Sequence, residues 1–138
     1  MDVGAGNGPS RVLLVEDHQA LLRVYARALT AAGFEVDTAS DGMQGLGRLL
    51  SSSYNALVSD ISMPVMDGMR LLESARHLRP NVPVVMITAE LDSQLYGDAK
   101  DQGAVRYLLK PFHLEQLERA VRTATALGMV WERLRARR

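Results

Sequence analysis

Four short apolar runs in this chain end on a group that can do chemistry. Val12-Leu13-Leu14-Val15 runs into Glu16-Asp17, Ala56-Leu57-Val58-Ser59 into Asp60, Val84-Val85-Met86-Ile87 into Thr88, and Tyr107-Leu108-Leu109 into Lys110-Pro111. Carboxylates brought together repel: at ~5 Å and an effective dielectric of ~20, each like-charged pair costs about 3 kcal/mol. A hard divalent cation removes that cost, and all-oxygen ligation with retained water is what Mg²⁺ prefers. A hydroxyl, an ammonium and a metal around one free carboxylate would form a phosphoryl pocket. They neutralise the equatorial oxygens while the carboxylate attacks in line.

Each of these residues also has a plainer explanation. Asp60 could cap a turn or helix, but Asp67, directly before the helical pattern of Met69, Leu71, Leu72 and Ala75, fits that role better. Asp60 is then left without a structural job. Glu16-Asp17 could cap the first helix, a role compatible with holding a metal. Thr88 alone reads as an ordinary strand residue, but beside Asp60 and Lys110 it does not. Lysine occurs only at 100 and 110, against fourteen arginines, so a compact point charge at a strand end carries some information. Tyr107 fits a static strand aromatic and a moving group about equally. His18, His77 and His113 read as surface residues, and the seven methionines as core filler.

Positioning these groups takes five strands and five helices. Strands are expected at 11–15, 34–39, 56–60, 82–88 and 105–109 from apolar runs bounded by turn signals. Helices are expected at 18–32, 41–51, 68–78, 91–102 and 114–127. Gly33 and Gly103 close two of them, and Asp41 and Asp67 open two others. The apolar face of the second helix is Met43, Leu46, Leu49 and Leu50, that of the fourth Leu95, Ala99 and Tyr96, and that of the last Leu114, Leu117, Val121 and Ala124. Gly42, Gly45 and Gly47 weaken the second helix by roughly 1 kcal/mol each if interior; they mark either tight packing or a loosely held helix, and the sequence does not say which. Strands alternating with helices over short connections give a parallel sheet covered on both faces. With strand order 2-1-3-4-5 the crevice lies between strands one and three, which carry Asp17 and Asp60.

The chain has 138 residues, 47% of them apolar, with 16 basic residues balancing 16 acidic ones and no cysteine. That suits one domain with a real core. It excludes a disulfide framework and a thiolate site, and no global charge points to nucleic acid or membrane. Neither a membrane-length apolar run nor a signal-peptide core is present. Residues 1–10 read as a disordered leader, 11–127 as the folded domain, and 128–138 as a helical C-terminal extension that could begin a linker. A cytoplasmic setting is expected.

With these residues in hand, the chain resembles the receiver domain of two-component response regulators. The resemblance rests on Val15-Glu16-Asp17, the stretch from Asp60 through Met63-Pro64 to Asp67-Gly68, Thr88-Ala89, and Tyr107 before Lys110-Pro111-Phe112. It covers about residues 11–127, and the order of motifs is more specific than any one of them. It implies a flavodoxin-like α/β doubly wound five-stranded sheet. It also implies that Asp60 accepts a phosphoryl group from a sensor histidine kinase or phosphotransfer protein. Asp17, Asp60 and the Ser62 carbonyl would hold Mg²⁺, with Glu16 acting through water. Lys110 would pair with the phosphoryl group through a cis Lys110-Pro111 bond. Thr88 and Ala89 would meet its oxygens, Tyr107 would turn inward, and the face formed by the fourth helix, fifth strand and fifth helix would change shape. Such a protein is a phosphoacceptor that assists its own phosphorylation and dephosphorylation, not an enzyme acting on a separate substrate.

Two departures matter. Ser62 and Glu90 occupy positions that vary across the family and tune phosphoryl lifetime, which stays open. Arg106 stands where regulators with winged-helix output carry an acidic residue used in dimerisation, which argues against that dimer. Another homodimer stays open, with Trp131 and Leu134 as candidates to pack on a second copy or another domain, and the output partner is unknown. Two other functions compete with this one. An aspartyl phosphatase of the haloacid-dehalogenase type needs an acid where Ser62 stands. A nucleic-acid binder would rely on the basic run from Arg133 to Arg138, which reads more simply as a solvated end.

Overall fold

A computed structural model describes residues 8–89 and 93–136, the side chains of 93–96 excepted. Most of the expected leader, Glu90, the side chains of Leu95 and Tyr96, and the last two arginines lie outside the described residues. Among those described, the order is β1 (Arg11–Val15), α1 (Gln19–Ala31), β2 (Glu35–Ala39), α2 (Gly42–Ser51), β3 (Ala56–Asp60), α3 (Gly68–Leu78), β4 (Val84–Thr88), α4 (Ser93–Asp101), β5 (Arg106–Leu109) and α5 (Leu114–Ala136). The strands form one parallel sheet in the order β2-β1-β3-β4-β5, as expected. Among the described residues, no helix is long and apolar enough to cross a membrane.

Period-two alternation along the central strands builds two cores. Leu13, Val15, Leu57, Val84 and Met86 face one side, where Leu49, Leu71, Leu72, Ala75 and Ala99 of α2, α3 and α4 cover them. Val12, Leu14, Val58, Val85 and Ile87 face the other, under Leu22, Tyr25 and Leu29 of α1 and Leu117, Val121 and Ala124 of α5. Strands buried on both faces explain why their sequences read as unbroken apolar runs. Gly33 and Gly103 follow α1 and α4 at φ 101° and 94°, the left-handed conformation that glycine adopts without a Cβ penalty.

The structure departs from the expectations in four places. His18, rather than Glu16 or Asp17, caps α1, its Nδ1 accepting from the Leu21 amide. Met43 and Leu50 of α2 and Leu114 of α5 are 50%, 47% and 41% exposed and do not join the core. Two of the three α2 glycines are explained by close approach. A Cβ at Gly42 would fall on the Met66 carbonyl, and one at Gly45 would lie 2.9 Å from Val15 Cγ2. Helix α5 does not end near Leu127. It runs on through Gly128, which is buried because it crosses the sheet closely: a Cβ there would lie 2.9 Å from Pro83 Cδ and 3.1 Å from the Asn55 carbonyl. Beyond it, the Arg76 guanidinium lies 5.2 Å over the Trp131 ring.

Candidate functional site

In a parallel sheet all C-terminal strand ends share one edge, and ligands bind outside it. Asp60 closes β3 and is 5% exposed. The loop after it is drawn tight. The Ile61 amide donates to the Ile87 carbonyl at 2.8 Å, the Gly68 amide to the Ile61 carbonyl at 2.8 Å, and the Ser62 amide to Asp60 Oδ1 at 3.3 Å. A Cβ on Gly68 would fall on the Asp60 carbonyl oxygen, so α3 can begin this close only with glycine there. Within the loop Val65 holds φ 69°, a left-handed conformation costly for a β-branched residue.

Lys110 reaches across from the end of β5. Its Nζ donates to Asp60 Oδ2 at 2.9 Å and to Glu16 Oε1 at 2.7 Å. The Lys110 amide also donates to the Thr88 carbonyl at 2.7 Å, tying the lysine to the end of β4. Asp60 pairs in register with Ile87, so Thr88, fully buried, is the next residue along the neighbouring strand. The Lys110-Pro111 bond is cis. Phe112 stacks on Tyr25 of α1, with ring centroids 5.4 Å apart.

Glu16, Asp17 and Asp60 each offer a carboxylate oxygen within 4.8 Å of the others. Glu16 is buried and Asp17 exposed. Three carboxylates and one ammonium carry net charge −2 when all are ionised. At that separation and an effective dielectric of ~20, each like-charged pair costs about 3 kcal/mol. Burial pushes the Glu16 carboxyl up to about 7, against the pull of the Lys110 ammonium and the His18 amide. Burial also works against the Lys110 charge, yet its bonds to Glu16 and Asp60 outweigh it and hold the lysine above its ordinary value. An all-oxygen donor set with two uncompensated negative charges fits a hard divalent cation of the Mg²⁺ kind.

The structure thus brings together Glu16, Asp17, Asp60 and Lys110, with Thr88 beside them. Ser62 follows Asp60 with its side chain exposed, and Ala89 is exposed beyond Thr88. Tyr107 lies three residues before Lys110. It is half-buried on β5, paired with Met86, and packs on the α3–α4 side of the sheet. There it lines a cleft of about 220 Å³ with Lys100, Ala104, Val105 and Arg106. Sequence reasoning gave Glu16 a role toward the metal and did not foresee its direct bond to Lys110. It also missed Tyr25, whose ring backs Phe112 and whose phenol burial pushes up, with the Lys110 charge opposing. The aromatic directly after Lys110-Pro111 was the one available signal for that contact.

Comparison with known proteins agrees with this fold. The sequence model for the response regulator receiver domain matches residues 12–122. The chain is 34% identical over 137 residues to the transcriptional regulatory protein TcrA of Mycobacterium tuberculosis, covering 91% of this chain and 53% of TcrA. It is 34% identical over 113 residues to the response regulator ArlR of Staphylococcus aureus, covering 82% of this chain and 51% of ArlR. The chain therefore spans about half the length of the curated relatives it matches. Among solved structures, a CheY-like response regulator receiver domain protein from Methanospirillum hungatei superposes with TM-score 0.85 at 28% identity, over 88% of this chain and 98% of its own. Chemotaxis response regulator CheY4 of Vibrio cholerae superposes with TM-score 0.78 at 30% identity, over 84% and 98%.

Proposed function

Because the chain belongs to the response regulator receiver domains of two-component systems, we propose that Asp60 is its phosphoacceptor. The observation that carries this reading is Lys110 Nζ at 2.9 Å from Asp60 Oδ2, inside a cluster of three carboxylates. An Asp60 oxygen attacks the phosphorus of a phosphohistidine on a sensor kinase or phosphotransfer protein. An O–P bond forms as the N–P bond breaks, and the histidine nitrogen leaves with the electron pair. Lys110 turns from the free carboxylate to the transferred group and neutralises its charge. Thr88, the residue after Asp60's register partner Ile87, would offer its hydroxyl to a phosphoryl oxygen, with Ala89 at the rim. Glu16, Asp17 and Asp60, with the Ser62 carbonyl, would hold Mg²⁺. When bound, that ion supplies charge neutralisation between the carboxylates and the incoming phosphoryl oxygens.

The protein on this reading is a switch and not a turnover enzyme, assisting the gain and loss of its own phosphoryl group. Repositioning Lys110 and Thr88 biases β5 and the α4 side, where Tyr107 lines its cleft, so the α4–β5–α5 face reports the state to an output partner. A cytoplasmic location goes with a kinase donor. Contact with nucleic acid would belong to parts of a regulator other than this domain.

Beryllofluoride with Mg²⁺ tests the reading. The expected result is a shift of the Thr88 and Tyr107 resonances in the wild type and none in Asp60→Asn. A shift of the same size in the variant would overturn it.

A further inference from the structure

Three residues join Lys110 to α5. Pro111 and His113 are exposed, and Phe112 alone turns inward. Its ring lies on Tyr25 of α1, with centroids 5.4 Å apart and planes 26° from parallel. Tyr25 is 6% exposed and belongs to the core on that side of the sheet, so the stack is backed by packed side chains. Stacked rings fix orientation as well as distance, which an aliphatic pair does not. The same helix also holds the partner of the lysine. At its N-terminus the His18 amide donates to Glu16 Oε2 at 3.1 Å, while Glu16 Oε1 accepts from Lys110 Nζ at 2.7 Å. A closed ring results: Lys110 to Glu16, Glu16 to the start of α1, α1 to Tyr25, Tyr25 to Phe112, and two residues of chain back to Lys110. Burial pushes the Tyr25 phenol up, Lys110 opposes it, and Glu16 and Asp60 add to it, so the ring lies within the field of all three charges.

Taking Asp60 as the phosphoacceptor, we propose that Tyr25 is a positioning residue for phosphoryl transfer: by stacking on Phe112 it holds Lys110 where the ammonium meets the incoming group. It acts through Phe112 and Lys110, not on the reacting atoms. A lysine is a point charge on a flexible four-carbon stem, so its charge is placed only as well as its backbone is. The Lys110 amide, donating to the Thr88 carbonyl at 2.7 Å, fixes that backbone on the strand side. The stack fixes it on the helix side. The stack also bears on the cation. Lys110 Nζ bonds Glu16 Oε1 and Asp60 Oδ2, and these two carboxylates form the acidic cluster with Asp17. The ammonium and a divalent cation therefore compete for the same carboxylates. Loosening the lysine slows phosphoryl transfer and tightens the cation.

Full-chain Tyr25→Leu and Tyr25→Phe, with phosphoramidate as donor, test this. A small N–P donor leaves out any contact between α1 and a kinase. Tyr25→Leu should slow phosphorylation of Asp60 about ten-fold, because a positioned group loses that much on a sub-ångström displacement. In calorimetry it should tighten Mg²⁺ about three-fold, the effect of a small retreat by one unit charge. Tyr25→Phe keeps the stack and should match the wild type in both. In a Lys110→Met background, Tyr25→Leu should leave the Mg²⁺ affinity unchanged, because the lysine it acts through is gone. A general loosening of the fold would instead weaken both reactions and persist in that background. The proposal is overturned by a Tyr25→Leu rate equal to that of the wild type, or by a slowed rate with Mg²⁺ affinity unchanged or weakened. It is equally overturned if Tyr25→Phe behaves as Tyr25→Leu, or if Tyr25→Leu still shifts Mg²⁺ affinity beside Lys110→Met. A wild type that takes no phosphoryl group on Asp60 would remove the acceptor reading itself, and this role with it.

Discussion

Replacing Lys110 with methionine keeps the side-chain stem and removes the charge. In the native site the ammonium is 15% exposed and bonds Glu16 at 2.7 Å and Asp60 at 2.9 Å, whose side chains are 2% and 7% exposed. Without it, two buried carboxylates face each other and Asp17 with no positive group among them. Breaking a buried pair by removing one partner costs about 3–5 kcal/mol, because the uncompensated charge stays behind. In EDTA at pH 8 the urea midpoint should therefore fall by about 2 M, at a slope of about 2 kcal/mol per molar. Two controls follow from the same charge count. At pH 5.5 the loss should shrink, because the Glu16 carboxyl, already pushed to about 7 by burial, takes up a proton in place of the lysine. Millimolar Mg²⁺ at pH 8 should restore part of the loss, since a cation bound only to the folded state stabilises it. A loss under about 1 kcal/mol in EDTA at pH 8, or one indifferent to pH, would refute the claim that uncompensated carboxylate charge dominates this site.

Three further outcomes are expected. The Glu16 carboxyl titrates near 7 when folded against 4.5 as its ordinary value, so the folded state binds more protons between the two. The stability this group contributes is complete below pH ~4.5 and is lost as pH rises through ~7, about 3 kcal/mol in all; Glu16→Gln in EDTA should flatten that slope in chemical denaturation. Gly68→Ala puts a methyl on the Asp60 carbonyl and forces the loop to move, which should cost about 1–3 kcal/mol by thermal unfolding and weaken the beryllofluoride response. Val65→Asn relieves a β-branched residue from φ 69° and should stabilise by about 1 kcal/mol, readable as a rise in melting temperature.

Local signals in the sequence foretold most of the fold, because here they agree with tertiary demands. Asp41 and Asp67 cap where the helical patterns begin, Gly33 and Gly103 close where they end, and the central strands read as continuous apolar runs because both their faces are buried. The meeting of Asp60 and Lys110 was legible for a topological reason: parallel strands bring their ends to one edge whatever the side chains do. Three-dimensional approach stayed invisible. Gly128 reads as a helix stop, yet the helix passes through it because Pro83 and Asn55 leave no room for a side chain. Gly42 and Gly45 read as either tight packing or a loosely held α2, and nothing local named the neighbours, Met66 and Val15, that make it the former. The direct Glu16–Lys110 bond spans 94 residues of sequence, and no spacing rule reaches that far.

Trp131 is the sole tryptophan of the chain. It lies one turn past Gly128, which packs where β3 and β4 begin, at the edge of the sheet opposite Asp60. Its fluorescence is therefore a built-in optical gauge, free of any added dye, of whether events at the carboxylates are felt at the far end of the molecule. The Arg76 guanidinium stacked on the indole makes that emission sensitive to small displacements of the last helix against the third.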